Sequence, residues 1–197
     1  FTTDGTEPIL TAFSAADGSF SFTGVPYGKY VVREIAAPEG YVTDDTPYAV
    51  KIDADGAVVE IEAVNTRIRG SVQLTKVDRD YPDHYLTGAE FEVYRDGELV
   101  GTLEELSDGV YRLDGLAYGD YTMKETKAPA GFSLDEQTYA FSITENGGTV
   151  IVENEAGKDF VNAAQAGSLR IEKTSEDDRL QAVSYTHLRA HETLRHL

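Results

Sequence analysis

The chain has 197 residues and a net charge of −18, with 35 acidic side chains against 17 basic ones, and is 41% hydrophobic. That is enough apolar material for one or two cored domains, while the negative field disfavours nucleic acid and anionic membrane surfaces as partners. There is no cysteine, which excludes disulfides, thiol nucleophiles and thioesters, and no apolar run approaches the length of a membrane helix.

The opening Phe1-Thr-Thr-Asp-Gly5 reads as the interior of a longer protein. A targeting signal or wall anchor is therefore expected outside this stretch. From there to residue 180 no segment shows helical periodicity. Short runs rich in Val, Ile, Tyr, Phe and Thr alternate with the turn dipeptides Asp17-Gly18, Asp55-Gly56, Asp96-Gly97, Asp108-Gly109 and Asn146-Gly147. That punctuation predicts an all-β chain of hairpin-connected antiparallel strands, about seven per module, folded as immunoglobulin-like β-sandwiches. Asp53-x-Asp55-Gly56 has a faint calcium-loop look but reads as a hairpin turn.

The modules are visible as a repeat. Gly18-Ser-Phe-Ser-Phe-Thr-Gly24 and Tyr27-Gly28-Lys29-Tyr30 recur as Gly109-Val-Tyr-Arg-Leu-Asp-Gly115 and Tyr118-Gly119-Asp120-Tyr121. Glu34-Ile-Ala-Ala37-Pro38-Glu-Gly40-Tyr41 recurs as Glu125-Thr-Lys-Ala128-Pro129-Ala-Gly131-Phe132, 91 residues on. After six extra residues near Glu155 to Asp159 the offset becomes 97, matching Asn65 to Asn162 and Gly70 to Gly167. A period this long predicts tandem domains rather than a solenoid. Residues 1–66 are expected to be a module lacking its first strand, 70–166 a complete module, and 167–182 the start of a third. The short connectors would hold neighbouring modules nearly end to end.

Strand parity selects the residues of interest. Lys76 shares a face with Val72 and Leu74, Glu125 with Tyr121 and Met123, and Asn162 with Phe160. Successive strand side chains point to opposite faces, so all three are expected in one dry core. A lone strand lysine or glutamate is ordinarily a solvated residue, and Asn154 is a rival to Asn162. Asn162 is preferred because its five-residue spacing to Gly167 repeats that of Asn65 to Gly70. Three inward polar residues with duplicated counterparts need a reason, since unpaired burial costs several kcal/mol.

Gln73-Leu-Thr-Lys76, Gly115-Leu-Ala-Tyr-Gly-Asp-Tyr121, Glu125-x-x-Ala128-Pro129-x-Gly131-Phe132 and Phe160-Val-Asn162 together resemble the CnaB-type, prealbumin-like repeat of Gram-positive surface adhesins and pilins. The resemblance spans residues 14–180. It implies that Lys76 bonds spontaneously to Asn162, assisted by Glu125. The chemistry is reasonable in itself: burial favours the neutral, nucleophilic amine and a protonated carboxyl. That carboxyl would donate a hydrogen bond to the Asn162 carbonyl and relay protons to departing ammonia. Folding supplies the proximity, worth roughly 7–11 kcal/mol of barrier. Glu34 and Asn65 are the equivalents in the first module, whose lysine would precede Phe1. Lys173 is the equivalent lysine of the third, which lacks its partners.

Residues 183–193 resemble the translation of a sequencing adapter, and 183–197 are expected to be an artefactual tail. His187, His191 and Glu192 approach a zinc-protease pattern, but His196 falls one residue too far along. His84 has no companion, so neither metal nor cofactor is expected. The leading expectation is a structural stalk of a cell-wall-anchored adhesin or pilin, its partners being neighbouring modules of the same polypeptide. A host matrix protein or glycan would be met by a domain elsewhere. The alternative is a ligand-binding β-sandwich using the loop from Arg79 to Leu86, with Tyr81 and Tyr85. A hydrolytic enzyme lacks a nucleophile–base set.

Overall fold

The computed structural model describes residues 9–154 and 159–170. Among them there are strands and turns but no helix, in the order β1 (Gly28–Val32), β2 (Tyr48–Ile52), β3 (Arg69–Asp78), β4 (Glu90–Arg95), β5 (Glu98–Thr102), β6 (Glu104–Ser107), β7 (Val110–Ala117), β8 (Gly119–Lys127), β9 (Thr138–Ile143), β10 (Thr149–Ile151) and β11 (Phe160–Asn162). The chain divides into the units Phe1–Gln165 and Ala166–Leu197. In the second unit the described residues, 166–170, carry no regular secondary structure. Lys173, the rest of the expected third module and the adapter-like tail lie outside the described residues.

From β3 onward the strands form a sandwich. One sheet runs β10-β3-β7-β6, with β11 also pairing β3, and the other runs β5-β4-β8-β9. Alternation explains the layering: Val72 and Leu74 of β3, Phe91 and Val93 of β4, and Tyr121 and Met123 of β8 all bury into one core with Tyr111, Ile143 and Phe160. The turn signals perform as their chemistry requires. Asp96 and Gly97 have φ of 53° and 83°, the paired positive values of the tight turn that joins β4 to β5.

Two expectations need correction. Pairing is not wholly antiparallel, because β10 runs parallel to β3 over Ser71–Gln73 and β11 runs parallel over Lys76–Asp78. Hairpin logic fails there because the chain reaches the β3 edge by crossing from the other sheet, not by a local turn. Both segments lie along one edge of β3, so the six extra residues interrupt a composite last strand. The second correction concerns residues 9–66, where only β1 and β2 form a ladder. Gly18–Gly24, the counterpart of most of β7, is not a strand. In the later module β7 pairs with β3, and the described residues of the first hold no counterpart of β3. Phe13, Ile35 and Val58 are accordingly exposed.

The two repeats meet through the Ala-Pro-x-Gly loop. The Gly40 carbonyl accepts from Ile68 N–H at 2.8 Å, and the Tyr118 hydroxyl donates to Glu39 Oε1 at 3.0 Å. The Gly131 carbonyl accepts from Gln165 N–H at 2.8 Å in the same way, so the motif clasps its own outgoing linker in both copies.

One glycine is essential beside the site. Gly109 has φ of 72°, its carbonyl accepts from Lys76 N–H at 2.6 Å, and a Cβ there would stand 2.7 Å from the Lys76 carbonyl oxygen. Left-handed strain and a backbone clash therefore coincide. Gly109→Ala is expected to destabilise the fold by about 2–3 kcal/mol, read as a lower urea midpoint at unchanged slope.

Candidate functional site

The structure brings Lys76, Glu125 and Asn162 into contact at the centre of the sandwich. Lys76 and Asn162 stand in one sheet, on β3 and β11, where Phe160 is the register partner of Lys76. Glu125 faces them from β8 of the other sheet, where its register partner is Phe91. Relative exposures are 0% for Lys76, 2% for Asn162 and 3% for Glu125, so bulk water does not mediate their contacts.

The Lys76 ammonium donates to Asn162 Oδ1 and lies 3.2 Å from Glu125 Oε1. Asn162 Nδ2 donates to both Glu125 oxygens at 3.0 Å. This arrangement corrects one expectation. Glu125 does not donate to the Asn162 carbonyl; the ammonium, the stronger donor, takes that oxygen and leaves the amide N–H to the carboxylate. Oε1 consequently touches both the amine and the amide nitrogen, the two atoms between which a proton would travel in an amide exchange.

The walls are aromatic. Lys76 Nζ sits 4.5 Å from the Phe160 ring centroid and 5.7 Å from that of Phe91, and these rings meet edge to face at 5.3 Å. Burial pushes the Lys76 amine down to about 8, against the opposing pull of Glu125 and Asp135. Desolvation penalises the ammonium more than its neighbours stabilise it.

The first module repeats part of this site. Asn65 Nδ2 donates to Glu34 Oε2 at 2.6 Å and to the Val42 carbonyl at 3.1 Å. Both residues are half-buried, and their hydrogen bonds and ion pairs among the described residues include no lysine. Asn154 is occupied elsewhere: its Oδ1 accepts from Val161 N–H and its Nδ2 donates to the Val161 carbonyl, each at 2.8 Å. No cluster of three metal-ligating side chains occurs among the described residues.

The profile of the SpaA prealbumin-like fold domain matches residues 1–67 and again 70–158. The chain belongs to this family. Among solved structures, this SpaA-type chain is similar to the TIE protein of Bacillus anthracis, at 32% identity and a TM-score of 0.66. The match covers 77% of the chain but 28% of that protein's. A streptococcal ancillary pilin matches at 26% identity and TM-score 0.37, over 72% of this chain and 43% of that one. The minor pilin GBS52 of Streptococcus agalactiae matches at 23% identity and TM-score 0.39, over 77% and 66% respectively. No curated protein matches.

Sequence reasoning missed a carboxylate in this SpaA-type site. Asp135 N–H donates to Glu125 Oε2 at 2.8 Å, and Asp44 N–H donates to Glu34 Oε2 at 2.6 Å in the first module. The signal was available, since Glu34, Asp44 and Tyr48 recur as Glu125, Asp135 and Tyr139 at the same offset.

Proposed function

We propose that this chain is a load-bearing stalk segment of a surface pilin or adhesin, locked by a bond between the Lys76 and Asn162 side chains. One observation carries the reading: a fully buried lysine in contact with both an asparagine amide and a glutamate that bridges the two nitrogens. The neutral Nζ attacks Asn162 Cγ, and Glu125 takes a proton from Nζ and returns it to Nδ2. The C–Nδ2 bond breaks, ammonia leaves, and an amide joins the two strands. The event occurs once per module, so it is self-processing rather than turnover. A covalent tie between β3 and β11 would pass tension across the module without loading its hydrogen bonds.

Membership in the SpaA family and the pilins among its structural relatives support an extracellular, cell-wall-anchored setting on a Gram-positive bacterium. In that setting the chain's partners are neighbouring modules of the same polypeptide, and a host matrix protein or glycan would be met by a domain elsewhere. Intact mass tests the bond. The parent chain is expected to weigh one ammonia less than its sequence requires. Lys76→Ala, Glu125→Ala and Asn162→Ala chains should each have their calculated mass. A parent chain at full calculated mass would sink the crosslink. It would favour the second reading, ligand binding by the loop where the Tyr81 and Tyr85 rings stand exposed.

A further inference from the structure

The loop joining β8 to β9 contains an arrangement that appears in both repeats with the same connectivity. Asp135 Oδ1 accepts from Gln137 N–H at 3.0 Å and its Oδ2 accepts from the Tyr139 hydroxyl at 2.7 Å. Asp44 does the same with Thr46 N–H at 3.0 Å and the Tyr48 hydroxyl at 2.6 Å. In each copy the aspartate's own N–H is delivered to the module's glutamate. The side chains at 46 and 137 differ, so what is kept is the folded loop and its aim. Among the described residues, only the later module adds a second arm. Asn154 donates to Asp135 Oδ2 at 3.0 Å while clasping both backbone groups of Val161, the residue immediately before Asn162. Asp135 therefore connects to the acid directly and to the strand bearing the amide through one intermediary. Burial works against its charge, but the hydrogen bonds from Tyr139, Asn154 and Gln137 prevail and hold the carboxyl below its ordinary range.

We propose that Asp135 is the positioning residue of the crosslinking reaction, fixing Glu125 through its backbone N–H and Asn162 through the Asn154 clasp. This inference rests on the crosslink reading above. Asp135 does not touch the reacting atoms; it determines how often Glu125, Lys76 and Asn162 are aligned when the amine is neutral. Its carboxylate also acts on Lys76 through space, favouring the ammonium. The charged groups acting on Lys76 are Glu125 from β8, Asp135 from the β8–β9 loop and Arg79 beyond β3; Tyr139 of β9 meets Asp135 and Glu125. From β4 and β11, Phe91, Phe160 and Asn162 contact Lys76.

The test uses the whole chain, recovered unfolded in denaturant and refolded by dilution into buffers from acid to alkaline pH, with ammonia loss followed by intact mass. The parent reaction sets the scale, and its absence would overturn the crosslink and this inference together. Given a reacting parent, Asp135→Ala is expected to slow bond formation about 10- to 100-fold, as misalignment does. Asp135→Asn keeps the turn acceptor but removes the charge, so its pH–rate midpoint is expected to move to lower pH. A purely structural role would not move that midpoint. Tyr139→Phe keeps the ring against Phe160, at 5.0 Å between centroids, and removes one donor to Asp135. It should also react more slowly, and it decides the matter if Asp135→Ala does not refold. Parent-like rates in the refolded variants, or an unshifted Asp135→Asn profile, would overturn the role of Asp135 while leaving the crosslink intact.

Discussion

A chain carrying Lys76→Ala is expected to unfold at a far lower denaturant concentration than the parent, and Asn162→Ala is expected to fall between the two. Two separate losses are involved. Both substitutions would remove the proposed crosslink, which would close a separation of 86 residues and by the chain-entropy argument contribute about 4–5 kcal/mol through the unfolded state. In the crosslinked parent Lys76 would be a neutral amide, so the ion pair separates only the two variants: Asn162→Ala keeps the Lys76–Glu125 pair, Lys76→Ala lacks it, and breaking such a pair from one side costs about 3–5 kcal/mol. The tie alone is a large share of the whole stability of an ordinary domain, about 5–15 kcal/mol. The Lys76→Ala chain, with neither tie nor pair, should therefore have the lowest midpoint of the three. Equilibrium urea unfolding of the three chains checks this. Coincident midpoints for Asn162→Ala and the parent would show that no covalent tie forms. Coincident midpoints for Lys76→Ala and Asn162→Ala would show that the ion pair contributes nothing.

Bond formation on refolding is expected to be slow in mild acid and to accelerate through neutrality to a plateau above about pH 8. The sign follows from the amine. Burial lowers the Lys76 ammonium to about 8; below that pH the nitrogen lone pair is protonated and cannot attack, and above it the amine is free. Two units below the midpoint only about 1% of the amine is neutral, so the rate at pH 6 should be about 100-fold below the plateau. An unburied lysine, with its ordinary value of 10.5, would instead show rates still climbing at pH 10. Mass sampling across a pH series separates the two profiles.

How much of this could be read from the residues differs between elements. The turns were legible because Asp-Gly and Asn-Gly report a backbone requirement that is local. Gly18, Gly56, Gly97, Gly109 and Gly147 all have positive φ. The burial of Lys76, Glu125 and Asn162 was legible because parity is also local: a strand that buries Leu74 must bury Lys76. The parallel pairing of β10 and β11 with β3 was not, since it depends on where a crossing connection lands and not on any turn. Nor was the absence of strand structure in Gly18–Gly24, whose sequence matches β7 but which meets no β3 counterpart among the described residues.

The all-β class, the repeat and the inward-facing polar side chains are readable from the residues alone, because each rests on alternation or on short-range backbone preference. Which atoms of those side chains meet is set by the packing of the two sheets. That Asn162 turns its oxygen to Lys76 and its nitrogen to Glu125 follows from the competition between an ammonium and an amide for a single carboxylate and a single carbonyl. That the Asp135 N–H reaches Glu125 follows from how the β8–β9 loop folds back onto β8, and such a contact leaves no alternation pattern in the chain.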